Sequence, residues 1–320
     1  MMAFPQLDQA KLAELVAARF PLEGRELSFR RIPSGKFNRS YYVDLDGQRM
    51  VLRVAPLPGT PVLFYEKDMM RQEPLVHQIV RERTDCPVAA VLATDFSRKR
   101  IPSDYLFMER LPGLAASDLP VGRSMWERVL EQLGRCLRQV HEITGDRYGY
   151  VGPHRPMEPQ DNWVDAFRIM WSKLVQQLVE MEAYTREQGD WLVGALEKRL
   201  RFFDPNVPAS LLHMDVWSQN ILLDDSGNLT GLVDWDRALW GDPEIEYAVL
   251  DYCGISEPAF WRGYGRQRDT SAAARIRHHF YFLYEHQKYI LIRGLRNGRW
   301  EAAMRYRDEC WSLAQSWFSD

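Results

Sequence analysis

The chain lacks the features that would place it in a membrane, a secretory or a nucleic-acid-binding class. No apolar run approaches the roughly 20 residues that a membrane-spanning helix needs. The first 20 residues place Asp8, Lys11 and Glu14 among apolar positions, which predicts an amphipathic helix rather than a signal peptide. A net charge of -3 is the opposite of the strongly basic balance of a general nucleic-acid binder. We therefore expect no membrane and no nucleic-acid partner.

Cysteine is scarce, with 4 residues in a chain of 320. Cys86, Cys136, Cys253 and Cys310 lie far apart in the sequence, and no CxxC pair is present. This usage predicts buried, reduced thiols rather than a disulfide framework or a zinc site. A cytoplasmic location is expected on the same ground.

The sequence also contains no internal repeat, low-complexity tract or Gly/Ser-rich linker. A content of 46% apolar and 27% charged residues is typical of a soluble globular protein. A length of 320 residues is large for one simple core and favours two lobes. We place the boundary just after Gly113, which gives an N-terminal lobe of residues 1–113 and a C-terminal lobe of residues 114–320.

The two parts differ in their predicted secondary structure. Residues 28–56 predict three strands, and the "DLDGQR" segment supplies an Asp-Gly hairpin turn between two of them. A helix follows, and Pro74 indicates that it starts late or is interrupted. "AAVLATD" and "DYLFMERLPG" predict two further strands, whereas apolar spacings of three and four from Met125 onward predict helices. The pattern is that of an α+β protein.

The most informative stretch is "HMDVWSQN" at positions 213–220, which lies between two apolar runs. Polar groups in such a place are costly unless they are paired or used. Asp215 and Asn220 lie here, and Asp234 closes the third apolar strand, in "GLVDWDRALWGDP". Asn220 and Asp234 are oxygen ligands of the kind that Mg²⁺ prefers, and Asp215 suits the carboxylate that orients an acceptor hydroxyl in phosphoryl transfer.

The combination of H-x-D-x-x-x-x-N, an apolar strand ending in Asp, and "WGDPEIEYA" resembles the aminoglycoside phosphotransferase and choline kinase family. The resemblance implies a two-lobed, protein-kinase-like α+β fold, with ATP as co-substrate and Mg²⁺ as cofactor. It matches Asp215 to the catalytic aspartate, Asn220 and Asp234 to the metal ligands, and His213 to a structural histidine. The family often has glycine where this chain has Met214, an exchange that an extended backbone would tolerate.

The same resemblance assigns roles in the N-terminal lobe. Gly35 and Asn38 lie in the expected phosphate loop, "PSGKFNRSYYV". Arg53 takes the position of the phosphate-binding cation, where the family usually has lysine. Glu73 is the expected partner of Arg53, with Glu66 as the alternative.

The segment "YLFMERLPG" resembles the hinge between the lobes, where backbone groups contact the adenine. By this match the carbonyl of Glu109 and the amide of Leu111 would bind the base. The expected reaction is transfer of the ATP γ-phosphate to a hydroxyl of a small molecule, such as an aminoglycoside-like antibiotic, an amino alcohol or a sugar. A polycationic acceptor would favour an acidic pocket.

Other interpretations remain open at this point. Arg53 and Glu73 could be solvent-facing, and Gly35 could serve an ordinary hairpin. Asp242 is expected to brace the catalytic loop. The chain could also be a catalytically silent kinase-like nucleotide-binding protein, or a metal-dependent hydrolase that uses His213 and Asp215.

Overall fold

The computed structural model describes residues 2–33 and 35–319, so Ser34 of the expected phosphate loop lies outside the described residues. The N-terminal part holds a five-stranded antiparallel sheet in the order β1-β2-β3-β5-β4. Its strands are β1 (Leu27–Ile32), β2 (Arg39–Leu45), β3 (Gln48–Val54), β4 (Val91–Asp95) and β5 (Tyr105–Glu109). The predicted strands are therefore confirmed.

Two helices accompany this sheet. Helix α1 (Gln9–Ala17) begins at the side chain of Asp8, which accepts a hydrogen bond from the amide of Lys11 at 2.8 Å. Its apolar face packs on the sheet through Leu12, Leu15 and Val16. Helix α2 (Glu73–Arg83) carries Pro74 in its first turn and follows a 3₁₀ turn at Met69–Gln72, so the predicted late start is confirmed.

The C-terminal part is mostly helical and carries two small sheets. The helices are α3 (Arg123–His141), α4 (Trp163–Glu180), α5 (Arg186–Glu197), α6 (Pro243–Tyr252), α7 (Pro258–Tyr264), α8 (Ala272–Leu291) and α9 (Trp300–Phe318). A π-helical turn at Ile292–Arg296 separates the last two. The short strands are β6 (Leu114–Ala115), β7 (Gly149–Tyr150), β8 (Ser210–Leu212), β9 (Ile221–Leu223), β10 (Leu229–Leu232) and β11 (Leu239–Gly241). The largest core cluster is aromatic and includes Trp163, Phe167, Trp171 and Phe280.

One of these small sheets joins the segment after β5 to the centre of the C-terminal part. Strand β6 pairs with β9, which in turn pairs with β10. Gly113 precedes β6 with φ 93°, and a Cβ there would lie 2.4 Å from the carbonyl oxygen of Leu223. Only glycine fits this close backbone approach. The lobe boundary at Gly113 stays a prediction.

The cysteine prediction is wrong for one pair. Cys86, in the segment after α2, forms a disulfide with Cys136 of α3. The two residues are 50 positions apart, so their proximity depends on the tertiary fold and leaves no spacing signal in the sequence. Cys253 and Cys310 are free thiols. The cytoplasmic location was predicted from reduced thiols. Because Cys86 and Cys136 are bonded, they do not support that location, and it stays a prediction.

Within the described ranges, none of the helices combines the length and the apolar character that crossing a bilayer requires.

The contact between α3 and α7 generates a stability prediction. A Cβ added at Gly134 would lie 2.3 Å from the carbonyl oxygen of Phe260, whereas one added at Gly194 of α5 meets nothing within 4 Å. We expect Gly134→Ala to lower the free energy of unfolding by about 1–3 kcal/mol, because backbone atoms cannot move aside cheaply. The control Gly194→Ala should raise it by about 0.5–1 kcal/mol through helix propensity. Urea unfolding measures both, and equal effects would contradict the packing argument.

Candidate active site

The segment that follows β8 is held in a compact loop by its own polar side chains. The side-chain amide of Asn220 donates to the backbone oxygen of Asp215 at 2.8 Å and to its Oδ2 at 3.2 Å. The amide of Val233 donates to the carbonyl oxygen of Asn220 at 3.0 Å. Asp234 is the next residue, so the hairpin of β9 and β10 places it beside this loop. The structure thus brings together Asp215, Asn220 and Asp234.

Asp215 lies on the wall of a cleft of about 450 Å³ between the N-terminal sheet and the C-terminal helices. Its Oδ1 accepts a hydrogen bond from Nη1 of Arg237 at 3.0 Å. Its side chain is 16% exposed, so the carboxylate is oriented by the protein and still reachable from the cleft. Arg237 was not predicted as a site residue. It lies only three positions after Asp234, and this proximity is the signal that could have found it.

His213 is structural, as expected. Its Nδ1 accepts from the amide of Asp215 at 3.2 Å, so Nε2 carries the proton and donates to the carbonyl oxygen of Val233 at 3.0 Å. The ring therefore ties the loop to the end of β10. Burial lowers the pKa of His213, although the charges of Glu246 and Asp215 oppose this shift. The lowered pKa keeps the ring neutral at pH 7.

The backbone at Met214 is not extended, so the condition under which methionine would replace glycine without strain is not met. Met214 has φ 64°, in the left-handed region that disfavours a bulky side chain. Glu246 of α6 compensates, because its carboxylate accepts the amides of both His213 and Met214 and also bonds Nε2 of His141 at 2.6 Å. Burial alone would raise the pKa of Glu246, but the hydrogen bond and charge of His141 outweigh burial and lower it.

Asp242 does not brace the catalytic loop. It caps α6 by accepting the amide of Glu244 at 2.9 Å, and its Oδ2 accepts from the hydroxyl of Tyr281 at 2.9 Å. The bracing carboxylate is that of Glu246, four residues further along. The sequence "GDPEIE" contains three acids, and the prediction of Asp242 as the brace was wrong because only the fold shows which helical face meets the loop.

Arg53 is buried and joins the two parts of the molecule, so the solvent-facing alternative is wrong. Its Nη1 donates to Glu73 Oε2 at 2.7 Å, while Nη2 donates to Asp234 Oδ1 at 2.5 Å and to Asp236 Oδ2 at 3.2 Å. The pairing with Glu73 is the predicted one. The alternative partner, Glu66, instead pairs with Arg237 and Arg296. Asp236, two positions after Asp234, was not predicted.

The electrostatics of this cluster favour the uptake of positive charge, either a proton or another cation. Three carboxylates surround one guanidinium. Burial raises the pKa of Glu73 to about 7 despite Arg53, and burial together with the charge of Asp234 raises that of Asp236 well above its usual range. Burial would also raise the pKa of Asp234, but the charge and hydrogen bond of Arg53 outweigh burial and lower it. An added cation would relieve this repulsion.

The residues present fit a magnesium ion that is completed by phosphate and water ligands. The described part of the chain holds no cluster of three or more His, Cys, Asp or Glu side chains that could bind a metal by itself. Asn220 and Asp234 offer an amide and a carboxylate, both hard oxygen donors. Mg²⁺ usually takes one or two carboxylates and leaves its other positions to substrate phosphates and water. Their role as metal ligands stays a prediction.

The remaining predicted residues line the same cleft: Gly35, Asn38, Glu109 and Leu111. A Cβ on Gly35 would lie 2.7 Å from the carbonyl oxygen of Asn38, so the loop closes too tightly there for a side chain. Asn38 is buried and its side-chain amide donates to Asp236 Oδ2 at 3.1 Å. Asn38 therefore fixes the loop to the carboxylate cluster. Nucleotide contacts by these four residues stay predictions.

Comparisons with known proteins agree with this architecture. A family model described as a phosphotransferase enzyme family matches residues 28–280. A probable ketoamine kinase of Vibrio parahaemolyticus is 25% identical over 239 residues, which cover 73% of this chain and 76% of that protein.

Two solved structures share the fold. One is a protein from Haemophilus somnus proposed to be a fructosamine-3-kinase, with a TM-score of 0.66 and 18% identity, covering 93% of this chain and 96% of that one. The other is a thermostable mutant of aminoglycoside phosphotransferase APH(4)-Ia in a ternary complex with ADP and hygromycin B. Its TM-score is 0.66 at 19% identity, and the match covers 96% of this chain and 99% of that one. These likenesses confirm the predicted two-lobed, protein-kinase-like α+β fold.

Removal of Arg53 should destabilise the protein and impair its use of ATP. Arg53→Ala leaves buried carboxylates without their cation, which costs about 3–5 kcal/mol when a buried pair loses one partner. Arg53→Lys should recover part of the loss, since one ammonium keeps the charge but not the two-armed geometry. Urea unfolding and the Michaelis constant for ATP provide the measurements.

The matched control for this prediction is Arg49→Ala on the same strand. Arg49 is 70% exposed and lies 3.9 Å from Asp44, so its removal should change stability by less than about 1 kcal/mol. If Arg53→Ala behaved like this control in both measurements, Arg53 would not be the residue on which the cleft depends.

Proposed function

Because the chain belongs to the phosphotransferase enzyme family and is therefore an ATP-dependent small-molecule kinase, we propose that it phosphorylates a hydroxyl group of a sugar-derived acceptor. In this proposal Asp215 is the catalytic carboxylate. The observation that carries it is the placement of Asp215, which is held by Arg237 and Asn220 at the wall of the cleft, beside Asp234. The Vibrio relative, a probable ketoamine kinase, supports the acceptor class, because ketoamines formed from sugars carry hydroxyl groups.

The proposed reaction needs little covalent chemistry from the protein. The acceptor hydroxyl gives its proton to Asp215 as its oxygen forms a bond to the γ-phosphorus. The bond from that phosphorus to the β,γ-bridging oxygen breaks, and ADP leaves with the electron pair. Magnesium, when bound by Asn220 and Asp234, would neutralise negative charge on the phosphates. Arg237 and Asn220 keep the carboxylate oriented, which matters because phosphoryl transfer depends mainly on positioning and electrostatics.

The nucleotide would lie between the hinge and the carboxylate cluster. Glu109 and Leu111 would contact the adenine through their backbone groups, with the tight loop at Gly35 and Asn38 close to the phosphates. Arg53 would steady the non-transferred phosphates. These roles rest on the resemblance to the family and on the shared cleft.

The two rival functions have less support. A catalytically silent protein would be favoured by the loss of Asp215, Asn220 or Asp234, and all are present at one wall of the cleft. A hydrolase would need further metal ligands, which the described residues do not provide as a cluster. It would also need the ring of His213, both nitrogens of which are already engaged within the loop.

Asp215→Asn should separate catalysis from binding. The substitution keeps the size of the side chain but removes the base, so turnover should fall by about 10²–10⁴-fold. The affinity for ATP should stay nearly unchanged, because the carboxylate acts mainly in the transition state. Phosphorylation of an identified acceptor, or slow ATP hydrolysis in its place, measures turnover. Asp225→Asn, in the exposed turn between β9 and β10, is the control. Full activity of Asp215→Asn would contradict the proposed function.

ATP binding should depend on magnesium. Calorimetry on the folded protein should show much weaker ATP binding in excess EDTA than with Mg²⁺, since Asn220 and Asp234 need phosphate oxygens to complete the site. Asp234→Ala should remove most of this difference, whereas the exposed control Asp225→Ala should not. Equal affinity with and without Mg²⁺ would refute the assignment of the metal ligands.

A further inference from the structure

The part of the cleft around Asp215 that faces α6, α8 and the π-helical turn is positively charged. We call it the acceptor end, and it is lined by Lys36, Asp215, Arg237, Cys253, Tyr289 and Arg296. Three of these side chains are cations, and only Asp215 is an acid. Among the acids nearby, Asp234 and Asp236 are held by Arg53, and the buried Glu285 pairs with Lys288. This local charge contrasts with the net charge of -3 of the whole chain.

The two arginines are fixed from behind. Glu66, which is buried and does not line the cleft, pairs with both Arg237 and Arg296. The guanidinium of Arg296 also lies 4.9 Å from the centre of the Phe37 ring. One carboxylate therefore serves two guanidinium groups, and Arg237 additionally holds Asp215. Both arginines are less than a tenth exposed and each has a carboxylate partner, so their positions are fixed before a ligand binds.

Lys36 closes the acceptor end from the N-terminal side. Its ammonium lies 3.8 Å from the centre of the Trp217 ring, and no carboxylate of the described residues is within ion-pairing distance. Partial burial lowers the pKa of Lys36; Asp215 opposes this shift, while Arg237 and Arg296 add to it. Lys36 and the two arginines line the same cleft. A polycationic acceptor would be repelled there, whereas an anion would be bound.

On this basis, and resting on the proposed function, we infer that the acceptor carries an anionic group, which Lys36 and Arg296 bind while Asp215 receives the proton of its hydroxyl. The group is a carboxylate or a phosphate ester, because both accept hydrogen bonds from a guanidinium in the same way. The competing explanation is that these cations serve only the phosphates of ATP. Arg296 comes from the far C-terminal turn and not from the phosphate loop, which favours the acceptor. Lys36 belongs to the expected phosphate loop, so the assignment to the acceptor depends first on Arg296.

The test is a phosphorylation assay with acceptors that differ only in charge. One series consists of fructose ketoamines: those of glycine and phosphoethanolamine carry an acidic group, that of glycinamide has no added charge, and that of ethylenediamine adds a cation. The second series consists of gluconate and glucose 6-phosphate, which are acidic, glucose, which is neutral, and glucosamine, which is cationic. Product is followed by ADP release and mass spectrometry. We expect an acidic member to have the highest kcat/KM, about tenfold or more above that of its neutral counterpart. The neutral compound lacks one hydrogen bond between charged groups, and such a bond contributes a factor of this size. The glycine and phosphoethanolamine arms distinguish a carboxylate from a phosphate ester.

The variants Lys36→Ala and Arg296→Gln should each lower the ratio of kcat/KM for the acidic acceptor to kcat/KM for the neutral one about tenfold or more. The Michaelis constant for ATP should change little in Arg296→Gln, whereas Lys36 belongs to the expected phosphate loop, so its variant is judged by this ratio alone. Lys67→Ala and Arg299→Gln are exposed controls that lie outside the cleft. Since Arg296 is buried and its variant could unfold, the exposed Lys36 gives the second, independent measurement.

Three outcomes would overturn the inference. The first is a neutral or cationic acceptor with the highest kcat/KM. The second is a rise in the Michaelis constant for ATP in Arg296→Gln together with an unchanged preference for the acidic acceptor in both variants, which would assign these cations to the nucleotide. The third is a panel in which no compound of any charge is phosphorylated. That last result contradicts the proposed function itself, and the inference falls with it; the first two leave the proposed function intact.

Discussion

The cleft depends on one buried arginine. Arg53, on a central strand of the N-terminal sheet, reaches Glu73 in its own half of the molecule and Asp234 and Asp236 in the other. A single guanidinium can do this because its two terminal nitrogens point in different directions, which a lysine ammonium cannot reproduce. The same contact sets the distance across the cleft and holds the carboxylate that is proposed to bind the metal. The cluster has more carboxyl groups than cations, which supports the proposal that a divalent ion binds there.

The wall that carries Asp215, Asn220 and Asp234 is shaped by backbone geometry. The hairpin of β9 and β10 places Asn220 beside the start of the Asp234 segment, and the ring of His213 ties the preceding loop to the same strand end. Glu246 then holds the amides on either side of the left-handed residue Met214. Backbone strain of this kind persists only where surrounding contacts fix it. The result is a carboxylate on Asp215 whose direction is set before any substrate arrives, as positional catalysis requires.

The fold and the centre of the site could be predicted from the sequence because their signals are local. Strand alternation, helical spacing and the interval from Asp215 to Asp234 are all visible within short windows, and each agrees with the structure. Features created by contacts between distant segments could not be found this way. The bond between Cys86 and Cys136, the choice of Glu246 over Asp242 as the brace, and the pairing of Glu66 with Arg296 all depend on how helices pack. The same holds for the charge of the acceptor end, which collects residues from both ends of the chain. The roles assigned to individual cleft residues come from the resemblance and stay predictions.

The central claim is that one cleft holds the nucleotide and the metal against Asn220 and Asp234, with Asp215 facing the group to be phosphorylated. A crystal structure of the protein with Mg²⁺ and a non-hydrolysable ATP analogue tests this most directly. The account predicts adenine at the backbone of Glu109 and Leu111, the metal on oxygens of Asn220 and Asp234, and the terminal phosphate next to the carboxylate of Asp215. A nucleotide bound elsewhere, or a metal that contacts neither Asn220 nor Asp234, would contradict it.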